Sequence, residues 1–405
     1  MRSNSHSQLK FLKPRRGKRA AINPVLYTLL LGVFLYSSLA GFAEASGGLV
    51  MTDISGRAYA MVIDSLGRIV TAGDGFKLTR YNSDGSLDTT FGHGGVVTTD
   101  ITRAGRYDQA RALAIDSLGR IVVAGFTQAF TRSGKVSDPS AVGPFNMALA
   151  RYNSDGFLDA TFGNGGIVIT YILPSFPNGS YADAVAIDNV DRIVVAGSSN
   201  NVFTLARYNS DGTLDNTFGG DGIVTIANIG DSDGLPKWAA TVAVDSLGRI
   251  VAAGAAGTFV GYSGLHFSFA LVRCNSDGTL DDSFGNGGMV TTHLSGDGPA
   301  RDDSVAGIVI DSLGRIVAVG HCPWDCGNFD FELARYNSDG TLDATFGNGG
   351  LVTTHLGSPP TNNSSQALSI DSVGRIVVAG SSEDDLALAR YNSDGSLDNT
   401  FGVDP

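Results

Sequence analysis

The sequence predicts an all-β fold, a six-bladed β-propeller with four antiparallel strands per blade. Three observations lead there. One unit recurs six times, each copy is written in short apolar runs separated by turn residues, and Gly recurs at fixed places within it. Repeats of this length with four short strands each are the pattern of a propeller. At 405 residues the chain has room for more than one domain, but the repeat makes residues 46–405 a single one. A hydrophobic content of 42% is enough for a core and excludes a disordered chain.

The elements follow in order along each copy. The first strand is a short apolar run such as Ala112-Leu113-Ala114-Ile115. DSLGRIVVAG and close variants then begin at Asp64, Asp116, Asp188, Asp245, Asp311 and Asp371. Asp opens a turn and Gly accepts positive φ, so Asp116 to Gly119 is the first hairpin turn. Arg120 to Ala124 is a β-branched second strand. The third strand reads Phe203 to Tyr208 and ends in RYNSDG. That motif begins at Arg80, Arg151, Arg207, Arg335 and Arg390, and reads RCNSDG at Arg273, where Cys274 replaces Tyr. An LDxTFG segment with Phe at 91, 162, 218, 284, 346 and 401 leads to the fourth strand, as in Gly222 to Thr225. Leu214, Phe218 and their counterparts are expected to anchor the packing of sheet on sheet.

The last copy stops after Phe401 without a fourth strand. Residues 46–52, Ser-Gly-Gly-Leu-Val-Met-Thr, match the missing x-GG-φ-V portion. The N-terminal strand is therefore expected to pair with the last blade and close the ring, removing an exposed edge.

Residues 1–45 read as a signal peptide. Lys10, Lys13, Arg15, Arg16, Lys18 and Arg19 precede an apolar run from Val25 to Phe42, and Ala43-Glu44-Ala45 is a small-x-small cleavage pattern. The alternative is an uncleaved anchor, given the length of the run. Either way the repeats are expected outside the cytoplasm, secreted, periplasmic or at the cell surface. With cleavage after Ala45 the mature chain has no membrane span. A twin-arginine signal is not expected, because Arg15-Arg16 is followed by Gly-Lys-Arg. The leader holds seven of the 28 Lys and Arg and one of the 40 Asp and Glu, so 21 basic against 39 acidic residues leave a net charge of −18. Such a chain repels nucleic acid and anionic membranes.

The motifs DSxGRIVVAG, ARYNSDGxLDxTFG and GGxVTT resemble the delta-60 repeat family of exported bacterial β-propeller proteins, over residues 47–402. The resemblance implies fold and export. It supplies no catalytic residues, and Cys274 departs from its pattern.

Comparison of the six copies locates the expected working face. The Asp-to-Arg turn and the stretch from Tyr81 to Phe91 keep their lengths in every copy. All insertions fall between strands two and three or between blades, and these emerge on one face. Variable loops on a rigid scaffold are where binding residues gather. Phe126, Phe130, Phe145, Trp238, Phe259, Tyr262, His266 and Trp324 are placed in those loops as candidate ligand contacts.

Other chemistry is weaker. NSDGxLD resembles a calcium loop but lacks the first Asp and the bidentate Glu, so a turn is preferred. The acid pairs Asp231 with Asp233, Asp302 with Asp303 and Asp384 with Asp385 are the better calcium candidates; no other cofactor is expected. His293 and His355 follow Thr-Thr in adjacent copies and read as surface residues. Cys322 and Cys326 can form a local disulfide in an oxidising compartment. No GxSxG, HExxH or phosphate loop is present. Asp116, Arg120 and their counterparts are expected to orient turns, since six copies of a residue serve structure. The preferred function is an exported noncatalytic binding scaffold taking a glycan or a protein partner on the loop-rich face. A hydrolase or lyase acting on an extracellular polysaccharide and a structural cell-surface protein are the alternatives.

Overall fold

The computed structural model describes residues 54–102, 107–130, 142–172, 179–230, 235–259, 265–294, 303–321, 330–356, 363–382 and 385–402. The described residues form a six-bladed β-propeller and contain no helix, so the predicted fold class holds. Residues 1–45 and the predicted closing strand 46–52 lie outside the described residues. Among the described residues no helix is long and apolar enough to cross a membrane.

Blade 1 comprises β1 (Ala58–Ile63), β2 (Ile69–Gly73), β3 (Lys77–Tyr81) and β4 (Val96–Thr98). Blade 2 comprises β5 (Gln109–Ile115), β6 (Ile121–Phe130), β7 (Val142–Tyr152) and β8 (Ile167–Thr170). Blade 3 comprises β9 (Ser180–Ile187), β10 (Ile193–Ser199), β11 (Val202–Tyr208) and β12 (Ile223–Ile226). Blade 4 comprises β13 (Lys237–Val244), β14 (Ile250–Phe259), β15 (Leu265–Cys274) and β16 (Met289–Thr292). Blade 5 comprises β17 (Ser304–Ile310), β18 (Ile316–His321), β19 (Phe331–Tyr336) and β20 (Leu351–Thr354). Blade 6 comprises β21 (Asn363–Ile370), β22 (Ile376–Ser382) and β23 (Asp385–Tyr391), the sheet predicted to lack its own fourth strand. All pairings within blades are antiparallel and sequential.

The repeated motifs do the work expected of them. The Asp116 carboxylate accepts the N–H groups of Leu118 and Arg120 at 3.0 and 2.9 Å, and the Arg120 Nε–H at 2.6 Å. In NSDG, Asp211 Oδ1 accepts the Thr213 N–H at 2.9 Å and its O–H at 2.6 Å. This carboxylate oxygen holds its own turn, the role the sequence preferred for the motif.

Five apolar clusters fill the five junctions between successive blades. At the junction of blades 3 and 4, for example, Val194, Leu205 and Phe218 pack with Ala252 and Val272. Each junction is also clasped by an Arg. Arg207 is 1% exposed, stacks 4.7 Å over the Phe218 ring, donates to Asp215 at 2.8 Å and reaches the Ser276 carbonyl of the next blade. Arg80, Arg151, Arg273 and Arg335 repeat the contact on Ser154, Ser210, Ser338 and Ser393.

Two sequence expectations are corrected. The stretches predicted as loops between strands two and three in blades 2 and 4 are partly strand. The β6–β7 ladder continues through Phe126↔Met147 and Gln128↔Phe145 to Phe130↔Val142. The β14–β15 ladder runs on to Phe259↔Leu265. Phe126, Phe130, Phe145, Phe259 and His266 therefore sit on strand extensions, and Trp238 lies in β13. Aromatic and β-branched residues favour the ladder over a loop. The first strands are also longer than predicted, because each begins before a β-bulge that breaks the apolar alternation.

Candidate functional site

The bulge is the same in all six blades. In blade 3, Ala182 pairs with Gly197 and Ala184 with Ala196, so Asp183 is the extra, unpaired residue. The equivalents are Tyr59, Arg111, Ala240, Ala306 and Gln366. The Gly at the fifth position of strand two in every blade is required by this bulge. A Cβ on Gly197 would sit 2.0 Å from the Tyr181 carbonyl oxygen, and one on Gly125 would sit 1.9 Å from that of Gln109. A bulge re-aims a side chain and is frequent beside binding sites. These six positions lie on the innermost strands, near the end where the links between blades arrive. The first strands of successive blades contact one another around the ring.

In blades 1 to 3 the bulged residues meet. The Arg111 guanidinium lies 5.4 Å from the Tyr59 ring centroid, 5.4 Å from that of Phe126, and 4.0 Å from the Asp183 carboxylate. Burial pushes the Asp183 carboxyl up to about 6, against the opposing pull of Arg111. Burial and then the Asp183 charge raise the Tyr181 phenol. Phe126, Phe145 and Tyr181 form an aromatic trio with centroid separations of 5.0 to 5.3 Å.

Two of those rings, Phe126 and Phe145, also line a cleft of about 600 Å³ between blades 1 and 2. Its other walls include Asp74, Asp100, Tyr107, Asp108 and Gln109. Asp108 is committed to structure, accepting the Ile101 N–H at 2.9 Å and the Thr127 O–H at 2.5 Å. Asp74 accepts the Arg57 N–H at 3.0 Å. Asp100 and Tyr107 are exposed at the rim.

Phe126 and Phe145 are thus the predicted contacts that the structure brings together. Trp238 packs 4.9 Å from Phe267 in blade 4, with His266 next in sequence, forming a separate cluster. The side chains of Phe130 and Phe259, and the whole of Tyr262 and Trp324, lie outside the described residues. So do Asp231, Asp233, Asp302, Asp384, Cys322 and Cys326. Asp303 is fully buried and accepts the Leu294 N–H at 3.0 Å, while Asp385 is exposed at the start of β23. His293 lies 3.0 Å from the Ser268 hydroxyl and His355 2.8 Å from the Asp330 carboxylate, in different blades. Among the described residues no group of three or more His, Cys, Asp or Glu is placed to hold a metal ion. The sequence reading missed Tyr59, Arg111, Asp183 and Tyr181. The signal available for the bulge was the Gly at the fifth position of strand two.

All six blades match one family model. It is described as a domain of unknown function (DUF5122) beta-propeller, and the matched residues are 67–91, 137–162, 191–218, 248–284, 314–346 and 374–401. That description agrees with the fold expected from the motifs but does not carry the delta-60 name. No curated protein matches the chain. Among solved structures, the virginiamycin B lyase from Staphylococcus aureus is similar at 12% identity, over 84% of this chain and 83% of that one, with a TM-score of 0.43. An ulvan lyase of polysaccharide lyase family PL25 is similar at 11% identity, over 83% and 80%, with a TM-score of 0.48. A protein from Lactobacillus plantarum is similar at 10% identity, over 87% of each chain, with a TM-score of 0.48.

Proposed function

We propose that the protein is an exported binding propeller that takes a neutral glycan in the cleft between blades 1 and 2. The observation that carries this reading is the cleft itself, with Phe126 and Phe145 on one wall and Asp74, Asp100 and Gln109 on the others. Aromatic faces match the C–H faces of sugar rings, and carboxylates and amides match hydroxyl groups. A concave site with a few convergent polar groups is the usual form of a small-ligand pocket. The carboxylates, on a chain of net charge −12, disfavour acidic polysaccharides and nucleic acid.

The test is thermal melting of the full chain against neutral and acidic oligosaccharides. A ligand that binds only the folded ring must raise the melting temperature by mass action, by about 2.7 kcal/mol of stability at a hundredfold excess over Kd. A neutral saccharide is expected to do so and Phe145→Ala to abolish the shift. No shift with any saccharide overturns the glycan reading and leaves a protein partner. Release of cleaved products in the same samples would replace the noncatalytic reading by the hydrolase or lyase one.

A further inference from the structure

Arg111 differs from every clasp arginine in what its guanidinium does. Arg207 uses its fork on Asp215, Thr217 and the Ser276 carbonyl, and is buried. Arg111 has a side chain 40% exposed, held between the rings of Tyr59 and Phe126, and makes no hydrogen bond among the described residues. Its contact with Asp183 at 4.0 Å is too long for one. A guanidinium fixed by stacking, with its N–H donors unspent, is preorganised to bind oxygen acceptors. The Asp183 side chain, 27% exposed, presents an acceptor beside it.

We propose that Arg111 and Asp183, with Tyr59, form a second saccharide subsite at the axial mouth, in which a vicinal hydroxyl pair bridges guanidinium and carboxylate. One hydroxyl oxygen accepts from Arg111 and the neighbouring hydroxyl donates to Asp183. The hydroxyl pair lies alongside the two side chains, whose 4.0 Å separation is close to the spacing a vicinal diol can span. Phe126 joins this subsite to the cleft, because the ring that stacks on Arg111 also lines the cleft wall. Ala240 and Ala306 occupy the same bulge position in blades 4 and 5, where a methyl group leaves room along the axis. The subsite rests on the glycan reading and extends it from a short to a longer oligosaccharide.

The subsite has a pH signature. Asp183 accepts from a hydroxyl far more strongly when ionised, because the protonated carboxyl keeps only a neutral acceptor, and its carboxyl is pushed up to about 6 by burial. The charged or titratable side chains on the strands packed against β9 are Arg111 of β5, Lys237 of β13, and Arg151 and Tyr152 of β7. Tyr181 lies on β9 itself. None of these is a histidine or a second carboxylate, so a step in binding between pH 5 and 7.5 reads Asp183.

The experiment is calorimetric titration of the full chain with neutral gluco- and manno-oligosaccharides, short and long, at both pH values. For the long ligand, affinity is expected to rise about tenfold between those pH values in the wild type. Asp183→Asn should flatten that rise and Arg111→Lys should lose at least about fivefold, since the planar fork is gone. Short ligands should be unaffected by either change. Asp183→Asn should also melt higher than wild type at the upper pH, which confirms that the variant folds. An unchanged pH profile in Asp183→Asn, with Phe145→Ala still weakening the short ligand, overturns the subsite and leaves the cleft standing. If no saccharide binds the wild type, both readings fall.

Discussion

At the scale of single residues, Arg207 performs three tasks with one guanidinium: it pairs with a carboxylate, covers a ring and holds the next blade. Burial depresses its basicity, as does the charge of Arg192. Burial alone would raise the Asp215 carboxyl, but the O–H and N–H of Thr217 and the Arg207 charge hold it below the usual range. Removing one partner leaves a buried charge without compensation. Arg207→Ala should therefore cost about 3–5 kcal/mol in urea unfolding, against well under 1 kcal/mol for a substitution at an exposed arginine. The repeat showed that this arginine is structural, but the carbonyl it reaches is about seventy positions away, beyond any local pattern.

The departure at Cys274 has a similar explanation. In blades 2, 3, 5 and 6 the Tyr hydroxyl bonds a Thr of the preceding blade, as Tyr208 does with Thr170 at 2.7 Å. At Cys274 the preceding blade carries Ile226 in place of Thr, and both are buried in one cluster. A polar pair has been exchanged for an apolar one. Burial pushes the Cys274 thiol up to about 12, so it is held as a neutral, inert core group.

At the scale of the element, the turn and strand order were readable from composition, because Asp-Ser-Leu-Gly and Asn-Ser-Asp-Gly have only one local solution. The bulge was not. It inserts one residue into the alternation of strand one, so the apolar run legible in blade 2 begins only at Ala112, after Arg111. The Gly at the fifth position of strand two was visible six times, but its cause lies across the ladder in a displaced carbonyl. Gly197→Ala places a Cβ against that carbonyl and should cost about 1–3 kcal/mol by overpacking. It should also move the bulge, which near-ultraviolet circular dichroism of the Phe126–Phe145–Tyr181 trio would report. An unchanged spectrum and stability would show that the bulge is not what demands Gly.

At the scale of the whole molecule, five junctions share one construction and blade 6 stands apart. Arg390 has a side chain 13% exposed, where its counterparts Arg80, Arg151, Arg207, Arg273 and Arg335 have at most 3%. Leu386, Leu388 and Leu397 are 51%, 40% and 48% exposed. Deleting residues 46–52 should lower stability by about 3 kcal/mol or more through lost strand burial. An unaltered melting temperature in the deletion variant would refute closure by that segment.

The loop-rich face was assigned from length variation among copies, and the cleft with Phe126 and Phe145 opens there. Its other half came from Asp74 and Tyr107, which carry no repeat signal because each copy has its own linker, and from Asp100, which follows Thr98-Thr99 as His293 follows Thr291-Thr292. The measurement that tests the central claim most directly is calorimetric titration of the full chain and of Phe145→Ala with the same neutral oligosaccharides. The account predicts saturable binding to the wild type and at least about tenfold weaker binding to the variant, the loss expected when a stacking ring is removed from a buried contact. Equal affinity of the two proteins, or no binding to either, would contradict it.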